Sequence, residues 1–269
     1  MSAEPGFDRA RFAAALTTRV LGRALILCDE AGSTNDVAWE AMAAGGADGT
    51  TVIAERQPAG RGRAGRRWHL TPDRGLALSV ALSPMSDRRE TALLPLAAGL
   101  ALAEALESLG AAPELKWPND VLIRGRKLAG ILAESRRLPG RGDTVVVGVG
   151  INVLDRREDF PAELRERATS LTIESVRATR EAVAAAFLAA FERRSDAPET
   201  DGRGALIEAW SARAPIWGRP VVAHVPAGEI RGVALRLDSN GGLVLRGEDG
   251  TEAVVLAGDV MAERFEARS

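Results

Sequence analysis

Residues 144–153 read Thr-Val-Val-Val-Gly-Val-Gly-Ile-Asn-Val, an apolar run of strand length in which polar and apolar positions do not alternate. Such a strand is buried on both faces, so the chain must build a layered sheet around it. Residues 127–134 have the same character, and Gly130 among them marks a close approach by a ligand or another backbone. Further strands are expected over residues 25–28, 50–54 and 76–82, with a hairpin formed by 121–123 and 128–133 around Arg124-Gly125-Arg126. Helical spacing predicts a short helix over 8–19, one after Ser33-Thr34-Asn35 with Ser33 or Thr34 as its cap, and a long apolar one over 90–109. Two more are expected over 181–193 and 204–213, separated by a polar break at 195–202. From residue 217 the pattern changes to short strands at 220–225, 232–237, 242–246 and 253–256, which suggests a small barrel. The expected division is a main domain over 1–215 and a small β domain over 216–269.

Charge and reactive side chains narrow the function. The chain has 35 basic and 37 acidic residues and a net charge of −2, so it lacks a basic field for nucleic acid or an anionic membrane, and any anion must be bound locally. Cys28 is the only cysteine and there are 2 histidines, which excludes an internal disulfide and makes a Cys/His zinc site a poor fit. The best early apolar run, 24–28, is too short for a signal peptide or membrane span, so a cytoplasmic protein is expected. Lysine occurs only at 116 and 127, among arginines everywhere else, and an ammonium is not interchangeable with a guanidinium, so both are candidate site residues.

Between the strands at 50–54 and 76–82 lies Gln57-Pro58-Ala59-Gly60-Arg61-Gly62-Arg63-Ala64-Gly65-Arg66-Arg67-Trp68. It contains G-x-G-x-x-G after a strand, yet the following residues continue as loop, so no helix N-terminus is offered to a pyrophosphate and a dinucleotide fold is disfavoured. Three glycines let the backbone approach a ligand, and four arginines offer paired donors for carboxylate or phosphate. The plainer alternative is a solvated basic loop. A second cluster, Lys116-Trp117-Pro118-Asn119-Asp120, puts a cation, hydrogen-bonding groups and a carboxylate on a stiff turn; Asp120 suits a magnesium ion or the orientation of an attacking amine. Asn152, ending the buried strand, either reads a base edge or closes a turn.

In this order, Ser33-Thr34-Asn35, Gln57 with the Gly60–Arg66 loop and Trp68, Lys116-Trp117-Pro118-Asn119-Asp120, Lys127-Leu128-Ala129-Gly130-Ile131 and Gly148-Val149-Gly150-Ile151-Asn152 closely resemble the biotin protein ligase family. The resemblance implies an α+β catalytic domain like that of class II aminoacyl-tRNA synthetases, with a mixed sheet and helices on one side, followed by a small SH3-like β-barrel. It implies biotin and ATP as substrates, Mg²⁺ as cofactor, and the lysine of a biotin carboxyl carrier protein as acceptor of the biotinyl group. Ser33, Thr34, Asn35 and Gln57, with Gly60, Arg61, Gly62 and Gly130, would hold biotin; Arg63 and Lys127 would face its carboxylate and the α-phosphate. Arg66, Lys116 and Asn119 would meet ATP phosphates, Trp68 and Asn152 the adenine, and Asp120 would position magnesium or the incoming lysine.

About two dozen residues before the first strand leave no room for a helix-turn-helix domain, so a ligase that binds no DNA is expected. Residues 50–52, as an exposed edge, would allow a homodimer. Two other readings compete: a lipoate or other acyl ligase, separable by which acid drives pyrophosphate release, and a nucleic-acid module with 61–67 as a basic arm. The second fits poorly with 4% aromatic residues and a negative net charge.

Overall fold

The buried strand around residues 144–153 is β7 (Gly142–Ile151), in the middle of a seven-stranded mixed sheet ordered β1-β2-β3-β7-β6-β5-β4 in the computed structural model, which describes residues 6–83, 88–195 and 199–262. Its companions are β1 (Leu25–Glu30), β2 (Thr51–Arg56), β3 (Leu76–Leu82), β4 (Glu114–Lys116), β5 (Asp120–Ile123) and β6 (Arg126–Leu138). The β1–β2 pair is parallel and every other pair in this sheet antiparallel. β2 lies between β1 and β3, so residues 50–52 are not the exposed edge strand expected from the sequence.

Because side chains alternate across a sheet, β3 and β7 each present two apolar faces. Leu76, Leu78, Val80 and Leu82 join Val145, Val147, Val149 and Ile151 in the main core. That core is closed by α1 (Arg9–Ala15), α3 (Arg88–Ser108), α4 (Arg180–Ser195) and α5 (Glu199–Ser211). The opposite face carries Val52, Ala81 and Val146, against which α2 (Thr34–Ala43) packs Ala38, Trp39 and Met42. Helices therefore cover both sides of the sheet rather than one, as the lack of alternation in β7 requires.

α1 stops at Ala15, short of residue 19, because the amides of Arg19, Val20 and Leu21 turn to the Glu192 carboxylate on α4 at 2.7–2.9 Å. α5 begins within the expected break. Burial of Leu206 and Trp210 outweighs the poor helix propensity of Gly202 and Gly204. β4 is three residues long, and hydrogen bonding to β5 rather than sequence pattern makes it a strand.

The C-terminal part is a five-stranded antiparallel sheet in the order β11-β10-β9-β8-β12, formed by β8 (Pro220–Val225), β9 (Gly228–Leu237), β10 (Leu243–Arg246), β11 (Glu252–Val255) and β12 (Asp259–Ala262). β12 follows a glycine and starts on an aspartate, so only its pairing with β8 makes it a strand. The main apolar core runs without interruption into this sheet through Val221, Ala234, Leu243 and Val260. Thr91–Ser108 is long and apolar enough to cross a membrane by length and composition, but most of it is buried against the sheet and α4.

Candidate functional site

Opposite the main core, the middle of the large sheet is a floor with almost no side chains. Ala77, Gly150 and Gly130 lie in one cross-strand row, and Ser79, Gly148 and Leu132 in the next. Two side chains use the space. A Cβ on Gly150 would overlap the Trp68 indole, one on Gly130 would come within 3.4 Å of it, and one on Gly148 would overlap the Asn35 amide. Gly148 and Gly150 of β7 and Asn152, the residue after its end, are successive same-face positions, so Asn35, Trp68 and Asn152 stand in line over about 13 Å. Trp68 thus divides a cavity of about 650 Å³ into two ends.

The first end is built by the start of α2. Ser33 is the N-cap residue of α2 but makes no side-chain capping bond, and Thr34 is the first helical residue. The Thr34 amide donates to Gln57 Oε1 at 2.7 Å. Ser79 donates to Asn35 Oδ1 at 2.6 Å and pairs with the Thr34 hydroxyl at 2.7 Å; Asn35 Nδ2 donates to Glu134 Oε2 at 3.0 Å. Sequence reasoning missed Ser79 and Glu134, each in a strand with no local motif to mark it.

Above the floor, residues 60–68 close on themselves. The Trp68 amide donates to Gly60 O at 2.9 Å and Gly62 to Arg66 O at 2.7 Å, so the segment is a loop and not a helix start. Gly60 is buried and does not line the cavity as expected. A Cβ there would sit 2.6 Å from Trp68 O, so its function is to let the loop close. Ala64, at φ 53°, occupies a left-handed position that favours glycine.

All the candidate cations line the cavity, but they differ in charge compensation. Arg61 is held bidentately by Asp36, at 2.5 and 2.8 Å, with Glu134 at 3.4 Å. This arrangement anchors the loop to α2 and β6. Arg66 pairs with Asp259 of β12 at 2.7 Å, and Arg67 donates to Pro58 O at 2.5 Å. Lys127 reaches Asp120 Oδ1 at 2.6 Å, its Nζ 5.7 Å from the Trp68 ring centroid. Neither Arg63 nor Lys116 makes a direct ion pair among the described residues, and Arg63 has only Asn119 Oδ1 at 3.5 Å. Burial lowers the Arg63 guanidinium pKa; the Asp259 charge opposes this, the Arg66 charge adds to it and the Asp120 charge opposes it. A half-buried, under-compensated guanidinium is a place for an anionic ligand.

Asn119 donates to Ile131 O at 2.7 Å and receives the Ile131 amide at 2.9 Å on its own carbonyl, fixing the 116–120 turn to β6. The Trp117-Pro118 bond in this turn is cis. At the second end, Asn152 Nδ2 donates to Thr169 O at 2.9 Å and to Lys127 O at 3.4 Å, so its amide protons hold the wall together. That wall, with Phe160, Leu164 and Ala168, and the contribution of Asp259 and Met261 from the C-terminal sheet, carried no sequence signal because the segment lacks periodicity. The Trp68 indole N–H is buried and has no hydrogen-bond partner among the described residues.

Asp120, the residue expected to hold magnesium, is engaged by Lys127, and the described residues contain no group of three potential metal ligands. The protein alone therefore does not fit a resident magnesium ion.

Residues 30–152 match the biotin/lipoate A/B protein ligase family. The chain is 36% identical over 244 residues to the bifunctional ligase/repressor BirA of Bacillus spizizenii, covering 90% of this chain and 75% of that protein. It is 38% identical over 247 residues to the biotin–acetyl-CoA-carboxylase ligase of Mycobacterium tuberculosis, covering 89% of each. The structure superposes on the biotin protein ligase of Aquifex aeolicus in complex with biotin and ATP with a TM-score of 0.71 and 29% identity, covering 90% of this chain and 100% of that one. An anion-seeking cavity over a glycine floor, and this extent of likeness, place the chain in the biotin/lipoate A/B protein ligase family.

Proposed function

We propose that this protein activates biotin with ATP to biotinyl-5′-AMP and transfers the biotinyl group to a specific lysine of a biotin carboxyl carrier protein. The observation that carries this reading is the convergence of Arg63, Lys116 and Lys127 on one cavity that also has a neutral polar end. The bicyclic head of biotin is neutral and its valerate tail is anionic. A ligand of that polarity places its ureido group among Ser33, Thr34, Asn35 and Gln57 and its carboxylate toward Arg63 and Lys127, along the loop backbone at Gly62 and over Gly130. ATP takes the end beyond Trp68, with its base near Asn152 and the 160–168 wall and its phosphates toward Arg63, Arg66, Lys116 and Asn119.

In the first step a carboxylate oxygen bonds to the α-phosphorus as the bond to the pyrophosphate leaving group breaks. Arg63 and Lys127 offset the repulsion of two anions and the charge on the transferring phosphoryl group. In the second step the neutral amine of the carrier lysine attacks the acyl carbonyl, AMP departs, and the amine loses a proton. Asp120 holds Lys127 and faces the path of that amine. Magnesium enters with ATP as its complex, and no step above depends on a protein-built metal site.

In this reading residues 1–215 form the catalytic domain, of class II aminoacyl-tRNA synthetase type, and residues 216–269 an SH3-like barrel that completes the site with Asp259 and Met261. The reaction belongs to the cytoplasm and needs neither DNA nor membrane. The test is to incubate the protein with ATP, Mg²⁺ and biotin and look by mass spectrometry for a retained biotinyl adenylate. Pyrophosphate release driven by lipoate and not by biotin would overturn the assignment in favour of a lipoate ligase.

A further inference from the structure

We infer that Glu134 is a positioning residue that sets the direction of a hydrogen-bond chain, Glu134–Asn35–Ser79–Thr34, and so makes Thr34 an acceptor toward the ligand. Glu134 Oε2 receives the Trp39 indole N–H at 3.2 Å, and an indole nitrogen only donates. The same oxygen is 3.0 Å from the Asn35 amide, which must therefore turn its NH₂ group to the carboxylate; Leu132 O, at 3.4 Å, favours the same orientation. Asn35 Oδ1 then faces Ser79 Oγ at 2.6 Å, and a carbonyl oxygen only accepts, so the single Ser79 proton is committed to it.

Ser79 and Thr34 hydroxyls lie 2.7 Å apart, and with the Ser79 proton used elsewhere the Thr34 hydroxyl supplies the proton between them. The competing acceptor for that proton, Gln57 Oε1, is farther away at 3.3 Å and already receives the Thr34 amide at 2.7 Å. The Thr34 oxygen consequently presents lone pairs and no proton to the cavity it lines. A ligand N–H is matched there, while a ligand oxygen meets another acceptor. In a site so deeply buried such a mismatch is heavily penalised.

The inference rests on the reading of biotin as ligand and names what selects its ureido N–H. Without an acceptor at position 134, the Asn35 amide is free to flip. The chain then reverses, and Thr34 becomes a donor.

The test compares dissociation constants for biotin and its two cyclic carbamate analogues, each with one ureido N–H replaced by a ring oxygen, in wild type, Glu134→Met and Glu134→Gln. Wild type is expected to disfavour one analogue by at least about tenfold. Glu134→Met lowers that preference several-fold, and Glu134→Gln, which keeps one acceptor oxygen, retains it. Arg61 keeps its bidentate Asp36 partner in both variants, and general loosening of the site lowers affinity for all ligands without changing their ratio. An unchanged ratio in Glu134→Met, or equal loss in the two variants, overturns the inference. A wild type without affinity for biotin sinks instead the reading on which it rests.

Discussion

Gly150 shows how one missing side chain creates a binding surface. Its backbone is ordinary strand, so an alanine there strains no torsion, but its Cβ would overlap Trp68. Gly150→Ala is therefore expected to leave the melting temperature nearly unchanged while moving the indole off the floor. Its signature is a changed tryptophan emission and a loss of roughly tenfold or more in biotin affinity, of the size of one mispositioned contact. Lys127→Ala removes the cation that the proposed mechanism aims at the transferring group; adenylate formation should fall by about 100-fold in kcat with a smaller change in KM. Retention of wild-type kcat would remove Lys127 from the chemistry. Asp155 belongs to the same scale although it lies outside the site. Burial raises its carboxyl pKa, opposed by bonds from Thr71 and the backbone, and Oδ2 has no hydrogen-bond partner among the described residues. A carboxyl raised in the native state holds its proton more tightly there than in the unfolded chain, so stability falls as pH rises from the ordinary aspartate range through the raised value. Asp155→Asn does not titrate. Urea denaturation should thus show the variant gaining on wild type from acid to neutral pH, and a difference independent of pH would refute the burial argument.

At the scale of elements, the loop of residues 60–68 depends on the ion pair between Arg61 and Asp36 at the start of α2. The hydrogen bond from Arg61 lowers the Asp36 carboxyl pKa, with desolvation working against it and the Arg61 and Arg136 charges adding to it. The anchor's stabilisation is complete above the ordinary aspartate range and is lost only as pH falls through the lowered value, so it is constant through neutrality. Asp36→Asn should release the loop at every pH near 7. The readout is labelling of unrelated lysines by escaped adenylate, expected to rise several-fold, with tight retention counting against the anchor. The identity of this loop was legible because glycine and arginine together have no strand or helix period, and β6 and β7 were legible because unbroken apolar runs have few other uses. Other elements were not. The start of α5 follows from burial of Trp210, the end of α1 from the Glu192 carboxylate, 173 residues from the Arg19 amide it receives, and Ser79 and Glu134 matter only because the fold brings α2 over β3 and β6. Of the site, the motif-bearing cations could be read directly, whereas the wall at 160–168 and Asp259 could not, since they are supplied by tertiary packing.

For the whole molecule, the question is whether the C-terminal sheet is an appendage or part of one folding unit. Beside the shared apolar core, contacts of different depth tie it to the large sheet and its helices. Arg66 and Asp259 form an exposed pair, which by itself adds little stability. The buried Trp117 indole donates to Gly241 O at 3.0 Å, linking the 116–120 turn to the turn before β10. Gly241 itself, at φ +81°, lies so close to α3 that a Cβ would come within 2.7 Å of Leu96 and 3.0 Å of Leu93. Gly241→Ala combines a disfavoured torsion with a collision at the joint and should cost about 1–3 kcal/mol. If the continuous apolar core makes the two sheets a single cooperative unit, calorimetry will show one transition displaced downward by several degrees. A separate early transition, with the remainder melting as in wild type, would instead mean that the sheet unfolds independently. Because Asp259 and Met261 line the cavity, each such opening would also expose any retained adenylate to water. Adenylate hydrolysis should therefore rise in proportion to the open population, which ties the stability of the joint to the fidelity of transfer.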